Sequence, residues 1–346
     1  MNLHPPTKTN PGLNLVAIGG GTGLSTLLAG LKRLVGRRDA DGVWVDNLAA
    51  IVTVSDDGGS SGRLREELQM LPPGDIRNCM IALSEDSTLL SRLFRYRFRG
   101  DGDLGGHSFG NLFLAALTEV TGDFVEAVRL SSEVLASKGH IYPATINDVR
   151  LVAELEDGKT VKGETEITGS GSRIRSLRLE PERCLPLPAA LAAIRGADVI
   201  TVGPGSLYTS ILPNLLVARV ARTIGEARAI KIFISNLMTQ PGETDGYTAW
   251  QHVEVVKEYA PEIHFDFIVV NSRRVSEEQR RRYAAEGAYQ IGIDEDALGQ
   301  PFDGDTEIVR ADLLDEGEKA RHDSDSLASV VLACREQAIS RPTISA

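Results

Sequence analysis

The feature that most restricts the fold is a repeated order: a short, continuously apolar run, then glycine with small polar residues, then a helical pattern. Leu13 to Ile18 ends in Gly19-Gly20-Gly21, and Thr22 to Leu34 follows with Leu24, Leu27, Leu28, Leu31 and Leu34 at helical spacing. Leu48 to Val54 ends in Ser55-Asp56-Asp57-Gly58-Gly59-Ser60-Ser61-Gly62. Val199 to Val202 ends in Gly203-Pro204-Gly205-Ser206, Ala229 to Ile234 in Ser235-Asn236-Leu237, and Phe265 to Val270 in Asn271-Ser272. Strands buried on both faces read as such unbroken Val, Ile and Leu runs. The expected class is therefore α/β: a Rossmann-like, mostly parallel sheet with helices on both faces.

Between these units the stretch 75–137 has helical spacing, in segments near 75–84, 87–96, 108–118 and 123–135. The character changes at about 141–180. There Val149 to Leu155, Thr160 to Glu164 and Ile174 to Leu179 alternate or are β-branched, and Asp157-Gly158 is a strong hairpin signal. This predicts a small antiparallel β insertion. A last helix is expected over 324–336. The organisation is thus a disordered tail over 1–12, rich in proline, and one Rossmann-like domain over 13–346.

The formal charge is −11, so the basic footprint of a nucleic-acid binder is absent. No stretch reaches the ~18 apolar residues that a spanning helix needs, and the N-terminus does not read as a signal peptide. A cytoplasmic protein with neither a membrane nor a nucleic-acid partner is expected. Cys79, Cys184 and Cys334 are widely separated and odd in number, which suits reduced thiols and neither a disulfide framework nor a zinc site.

In open parallel sheets, ligands sit outside the carboxyl ends of the strands, and the unusual residues crowd there. Gly20, Gly21, Thr22 and Gly23 lie between a strand and a helix, where bare backbone and a helix N-terminus suit a phosphate. Leu24 stands at the third glycine position of the dinucleotide fingerprint, and no Gly-Lys-Ser/Thr of a Walker loop follows. Asp56 and Asp57, with Gly58 and Ser60, could hold Mg²⁺ or ligand hydroxyls, or cap the helix beginning near Arg63. Asp75 stands at an N-cap position, with Arg77 and Asn78 within reach of an anion. His107, beside Ser108 and Asn111, reads equally as a proton donor, a ligand contact or a capping neighbour. Gly203, Gly205, Ser206 and Tyr208 form a second phosphate cradle, while Asn236, Thr239 and Gln240 suit a base or sugar. No nucleophile with a general base emerges, and no His-Glu-x-x-His pair occurs.

Six ordered segments together resemble one family, the gluconeogenesis factors (YvcK-like proteins), from about Leu15 to Leu332. They are Val16 to Leu24, Ser55 to Arg63, Pro73 to Asn78, Gly106 to Asn111, Gly203 to Tyr208 and Asn236 to Thr244. Arg321-His322-Asp323 ahead of the last helix is also similar. The family sits in a superfamily with 2-phospho-L-lactate transferase. The resemblance implies a Rossmann-like fold and a cytoplasmic bacterial protein. For the factor branch it implies binding of a UDP-sugar such as UDP-N-acetylglucosamine, and a role in cell shape and wall synthesis on gluconeogenic carbon sources, with no defined reaction. A wall-synthesis partner protein goes with that regulatory reading, and a homo-oligomer is expected because exposed helices of such folds often pair. For the transferase branch it implies Mg²⁺ near Asp56 and Asp57. Two readings stand: a nucleotide-sugar-binding regulator, and a Mg²⁺-dependent transferase. A nicotinamide-dependent oxidoreductase is disfavoured by Leu24.

Overall fold

The computed structural model describes residues 12–37, 44–85, 88–292 and 306–340, so most of the expected tail lies outside the described residues. The first half runs β1 (Leu13–Gly19), α1 (Gly21–Leu31), β2 (Val45–Val52), α2 (Gly59–Leu68), α3 (Gly74–Leu83), α4 (Thr88–Arg95), α5 (Phe109–Thr121), α6 (Phe124–Val134) and β3 (His140–Pro143). Next come β4 (Arg150–Leu155), β5 (Thr160–Lys162), α7 (Glu164–Gly169), β6 (Ile174–Glu180) and α8 (Pro188–Arg195). The second half holds β7 (Val199–Val202), a π-helical turn (Leu207–Ile211), α9 (Leu212–Leu215), α10 (Val220–Glu226), β8 (Ile230–Ile234), α11 (Ala249–Tyr259), β9 (Phe267–Asn271) and α12 (Glu277–Ala285). It closes with β10 (Glu307–Ala311), β11 (Leu314–Glu316), β12 (Ala320–His322) and α13 (Ser324–Ser340).

Seven strands form one sheet in the order β10-β9-β8-β7-β1-β2-β3. Every pairing in it is parallel. The inner strands are apolar on both faces because helices cover both: β7 and β9 are buried at every position. The expected α/β class is the observed one. The sheet is wider than the apolar runs predict, by one strand at each edge. β3 carries His140 and Pro143, and β10 carries Glu307 and Arg310 and is only half-buried, so neither shows an apolar run.

The insertion is the three-stranded antiparallel sheet β5-β4-β6. It begins near Arg150, not at 141, because β3 pairs with β2. The expected strand through Glu164 stops at Lys162; Gly163 then opens α7 with a φ of 101° that only glycine adopts readily. One continuous buried core joins Ile18, Ile51 and Phe233 of the main sheet to Leu151, Ile167 and Leu177 of the insertion. All three cysteines are free and buried. Among the described residues no helix is long and apolar enough to cross a membrane.

The helix α1 lies against the sheet's centre and crosses the start of α13 through Gly30. A Cβ on Gly30 would stand 1.9 Å from the Ser324 carbonyl oxygen. Alanine normally favours a helix interior over glycine by about 0.5–1 kcal/mol. Here the obstacle is backbone, so overpacking wins. Gly30→Ala is expected to destabilise the fold by about 1–3 kcal/mol, read as a lowered urea midpoint at unchanged slope.

Candidate functional site

The chain builds the sheet outward from β1, first through β2 to β3, then from β7 through β8 and β9 to β10. The direction of growth reverses between β1 and β7, and a crevice must open outside their carboxyl ends because the following loops turn to opposite sides. A cavity of about 860 Å³ opens there, with Gly20, Gly21, Thr22 and Gly23 after β1 and Gly205 and Ser206 after β7 among its lining.

Bare backbone is required at this point. A Cβ on Gly23 would meet the Pro204 oxygen at 2.4 Å, and one on Gly20 would meet Asp75 Oδ2 at 2.7 Å. Gly21 has a φ of 61°. The N-cap Gly20 offers α1 no side chain, so the helix N-terminus and its dipole end border the cavity, with the Gly21 N–H against Asp75. On the other loop, Ser206 caps the π-helical turn by accepting from the Thr209 N–H at 3.1 Å. Asn214, with no exposed surface, donates to the Gly19 oxygen at 2.9 Å and fixes the end of β1.

The amide of Asn236 is fully used by the second loop. Its Oδ1 accepts from the Gly205 N–H at 2.9 Å and its Nδ2 donates to the Gly205 oxygen at 2.7 Å. Asn236 therefore holds the cradle's shape. Thr239 is likewise engaged with Tyr289, whose N–H donates to Thr239 Oγ1 at 2.9 Å. Gln240 lines the cavity with its Oε1 buried and unpartnered. Glu243 accepts from Ser206 Oγ and, at 3.1 Å, from Thr168 Oγ1, tying the β7 loop to α7. Lys319, Arg321 and His322, from the β11–β12 hairpin, complete the wall.

The remaining expected residues fall beside this cavity. Asp57 and Ser60 line a second cavity of about 950 Å³ with Arg63, Arg97 and Arg150. Ser60 Oγ lies 2.9 Å from His107 Nδ1 and accepts from Asn111 Nδ2 at 3.0 Å. Arg77 donates to Asn111 Oδ1 at 3.0 Å and to Asn78 Oδ1 at 2.7 Å. These residues form one buried network that locks α2, α3 and α5 together. Tyr208 is buried, its hydroxyl 3.2 Å from that of Tyr247. Gly203, with a φ of 84°, approaches the Ile234 oxygen and shapes the loop from behind.

Asp56 and Asp57 are engaged on different partners. Asp56 Oδ1 accepts from the Gly58 N–H at 2.8 Å, just ahead of α2. Asp57 Oδ1 accepts from the N–H and hydroxyl of Thr165, at 3.0 and 2.9 Å, and so caps α7 from another part of the chain. Gly58, not an aspartate, is the N-cap residue of α2. Among the described residues no group of three or more His, Cys, Asp or Glu side chains is arranged to hold a metal ion. The two adjacent carboxylates thus engage different parts of the chain, Asp56 its own loop and Asp57 the start of α7.

Asp75 is not the N-cap of α3; Pro73 holds that position, and the carboxylate lies inside the first turn beside the Gly21 N–H. Burial, and then Asp56, push the Asp75 carboxyl up to about 6. Burial, with Asp56 and Asp75 nearby, pushes Glu164 up to about 9. Burial also raises Glu243 and holds His322 down at about 4. The floor of the cavity therefore carries fewer negative charges at neutral pH than its carboxyl count suggests. Glu164, Thr168 and Lys319 escape sequence reasoning because they arrive from an insertion and a distant hairpin, whose Arg321 and His322 are marked only through the family resemblance. Glu243 sits inside a segment already marked, yet its role needs the partners Ser206 and Thr168.

The family model described as 2-phospho-L-lactate transferase CofD matches residues 15–313. The gluconeogenesis factor of Bacillus subtilis (strain 168) is 46% identical over 319 residues, 92% of this chain and 96% of that protein. The gluconeogenesis factor of Halalkalibacterium halodurans is 43% identical over 319 residues, 92% of this chain and 95% of that protein. A crystal structure of a Bacillus halodurans protein superposes with a TM-score of 0.86 and 42% identity, covering 93% of this chain and 100% of that one.

Glu164 gives a pH signature. With its carboxyl raised in the fold and ordinary when unfolded, folding takes up a proton between the two values, from 4.5 to about 9. Stability is then greatest below that window and falls as pH rises through it. Glu164→Gln removes this slope. Its melting temperature is expected to exceed that of the unaltered protein at about pH 8 and to match it at about pH 4, measured by calorimetry. Equal differences at both pH values would exclude a shifted Glu164.

Proposed function

The chain belongs to the CofD family and to its gluconeogenesis factors, and on that premise we propose that it binds a UDP-sugar, such as UDP-N-acetylglucosamine, as a regulator of cell shape and wall synthesis during gluconeogenic growth. The observation that carries the binding reading is the pairing of two glycine cradles at the sheet's reversal point, facing one cavity of about 860 Å³. That volume lies within the roughly 300–1,000 Å³ usual for small-molecule sites. The diphosphate would take the α1 N-terminus and the Gly205–Ser206 turn, with Lys319 and Arg321 across from it. The nucleoside and sugar would extend along Gln240 and the β11–β12 hairpin.

A regulatory role suits the chemistry of the walls. The polar side chains nearest the cradles, Asn236, Ser206 and Glu243, are bonded to one another or to backbone and shape the cleft. Binding to the folded state alone stabilises by about 2.7 kcal/mol when ligand is one hundred times its dissociation constant. A ligand of this kind would therefore also fasten the loops that close over it, a change a partner protein can read.

Titration calorimetry with UDP-N-acetylglucosamine, with and without Mg²⁺, tests the proposal, with the ligand assayed afterwards for breakdown. Saturable binding, intact ligand and a raised melting temperature are expected. No heat at millimolar ligand would remove the UDP-sugar reading. Breakdown of the ligand, or binding only with Mg²⁺, would replace the regulator with a transferase.

A further inference from the structure

Two hydrogen-bond acceptors of the main cavity's lining residues, His322 Nε2 and Gln240 Oε1, are buried and have no partner among the described residues. An unpaired buried polar group costs about 1–3 kcal/mol, and native proteins keep few of them. The two residues come from separate elements, β12 and the loop after β8, and both line the one cavity. His322 is only 8% exposed. Its hairpin is seated by Leu314 and Ala320 against Leu237 and Met238, so the ring has a fixed position.

The state of the ring follows from its contacts. The Ser235 backbone beside the ring favours its protonated form, as a carbonyl acceptor does. That places the proton on Nδ1, since Nε2 is the nitrogen without a partner. Burial keeps the ring neutral above about pH 4, so Nε2 presents a lone pair and nothing else. Gln240 Oε1 is likewise an acceptor only. Two bare acceptors repel phosphate oxygens and call for a ligand part rich in O–H donors.

We infer that His322 Nε2 and Gln240 Oε1 are the acceptors that read sugar hydroxyls of the bound ligand and set its specificity, an inference that rests on the UDP-sugar reading above. The phosphates then occupy the glycine end of the cavity and the hydroxyl-bearing part lies against β12. Specificity of this kind is strong because a ligand lacking the hydroxyls leaves the buried acceptors unpaired.

Two substitutions separate this role from a structural one. His322→Asn keeps a donor near the Nδ1 position for Ser235 but deletes the acceptor. His322→Gln keeps an acceptor near the Nε2 position and loses the Ser235 contact. Calorimetric titration with UDP-N-acetylglucosamine is expected to show His322→Asn weaker by about tenfold or more and His322→Gln within about threefold of the unaltered protein. Titration with UDP alone locates the hydroxyls: a loss seen with UDP assigns them to the ribose, and one seen only with the full ligand assigns them to the hexose. The reverse ranking, or both substitutions binding normally while the unaltered protein binds, overturns the inference and leaves the UDP-sugar reading standing. Failure of the unaltered protein to bind removes both.

Discussion

The backbone contact between two loops, Gly20–Gly23 after β1 and Gly203–Ser206 after β7, is the constraint on which the site depends. A Cβ on Gly23 would lie 2.4 Å from the Pro204 oxygen, and one on Gly205 would lie 3.4 Å from the Gly20 oxygen and 3.3 Å from Ser210 Cβ. Without side chains between them, two strand ends and two helical turns converge on a single small volume. The reversal of strand order supplies the crevice. The glycines make it shallow enough for backbone N–H groups to reach a ligand. Any larger residue at Gly23 would press on the Pro204 and Gly205 backbone and drive the two loops apart.

The rest of the site is arranged to keep those loops still. Asn236 binds both the N–H and the carbonyl oxygen of Gly205, Asn214 holds the Gly19 oxygen, and Glu243 spans Ser206 and Thr168. The insertion is part of this arrangement. At one end α7 is capped by Asp57, from the loop after β2. At the other it meets Glu243, from beyond β8. A short helix of six residues is marginal by itself, so its position is set by these long-range bonds. In return it brings Glu164 and Thr168 to the cavity wall. The insertion thus closes one side of a cavity that the Rossmann-like sheet leaves open.

What could be read from the chain was local, and what could not was long-range. The cradles were legible because a glycine run between an apolar strand and a helical pattern has few uses. The central strands were legible because burial on both faces forces continuous Val and Ile. β3 and β10 were not, because an edge strand needs apolar residues on fewer sides; Glu307, Ile308 and Val309 remain only half-buried. Polar roles divided in the same way. Asp57 was visible as an acid in a glycine-rich loop, but its partner Thr165 is 108 residues away. Asp75 looks like a cap by spacing and becomes a buried carboxyl only when Gly21 and Asp56 are brought against it. His107 and Asn111 were visible as unusual polar residues at a helix start, and their use in bracing α2 against α5 emerges only from the packed structure.

The distribution of charge in the cavity then decides how a phosphate-bearing molecule would enter. The floor holds Glu164 and Glu243, and Asp75 lies against the cradle beside Gly20 and Gly21. Ionised together, these carboxylates would repel a diphosphate. Burial keeps Glu164 protonated up to about pH 9 and pushes Glu243 in the same direction, so much of that repulsion is removed without a counter-ion. Positive charge comes instead from the rim, through Lys319 and Arg321, where long side chains stay hydrated until a ligand arrives. Attraction at the mouth and neutral donors at the floor would draw the phosphates toward the helix N-terminus and leave the uncharged end of the ligand against β12. The orientation of such a ligand would thus be fixed by where the carboxyl protons reside as much as by the shape of the cleft.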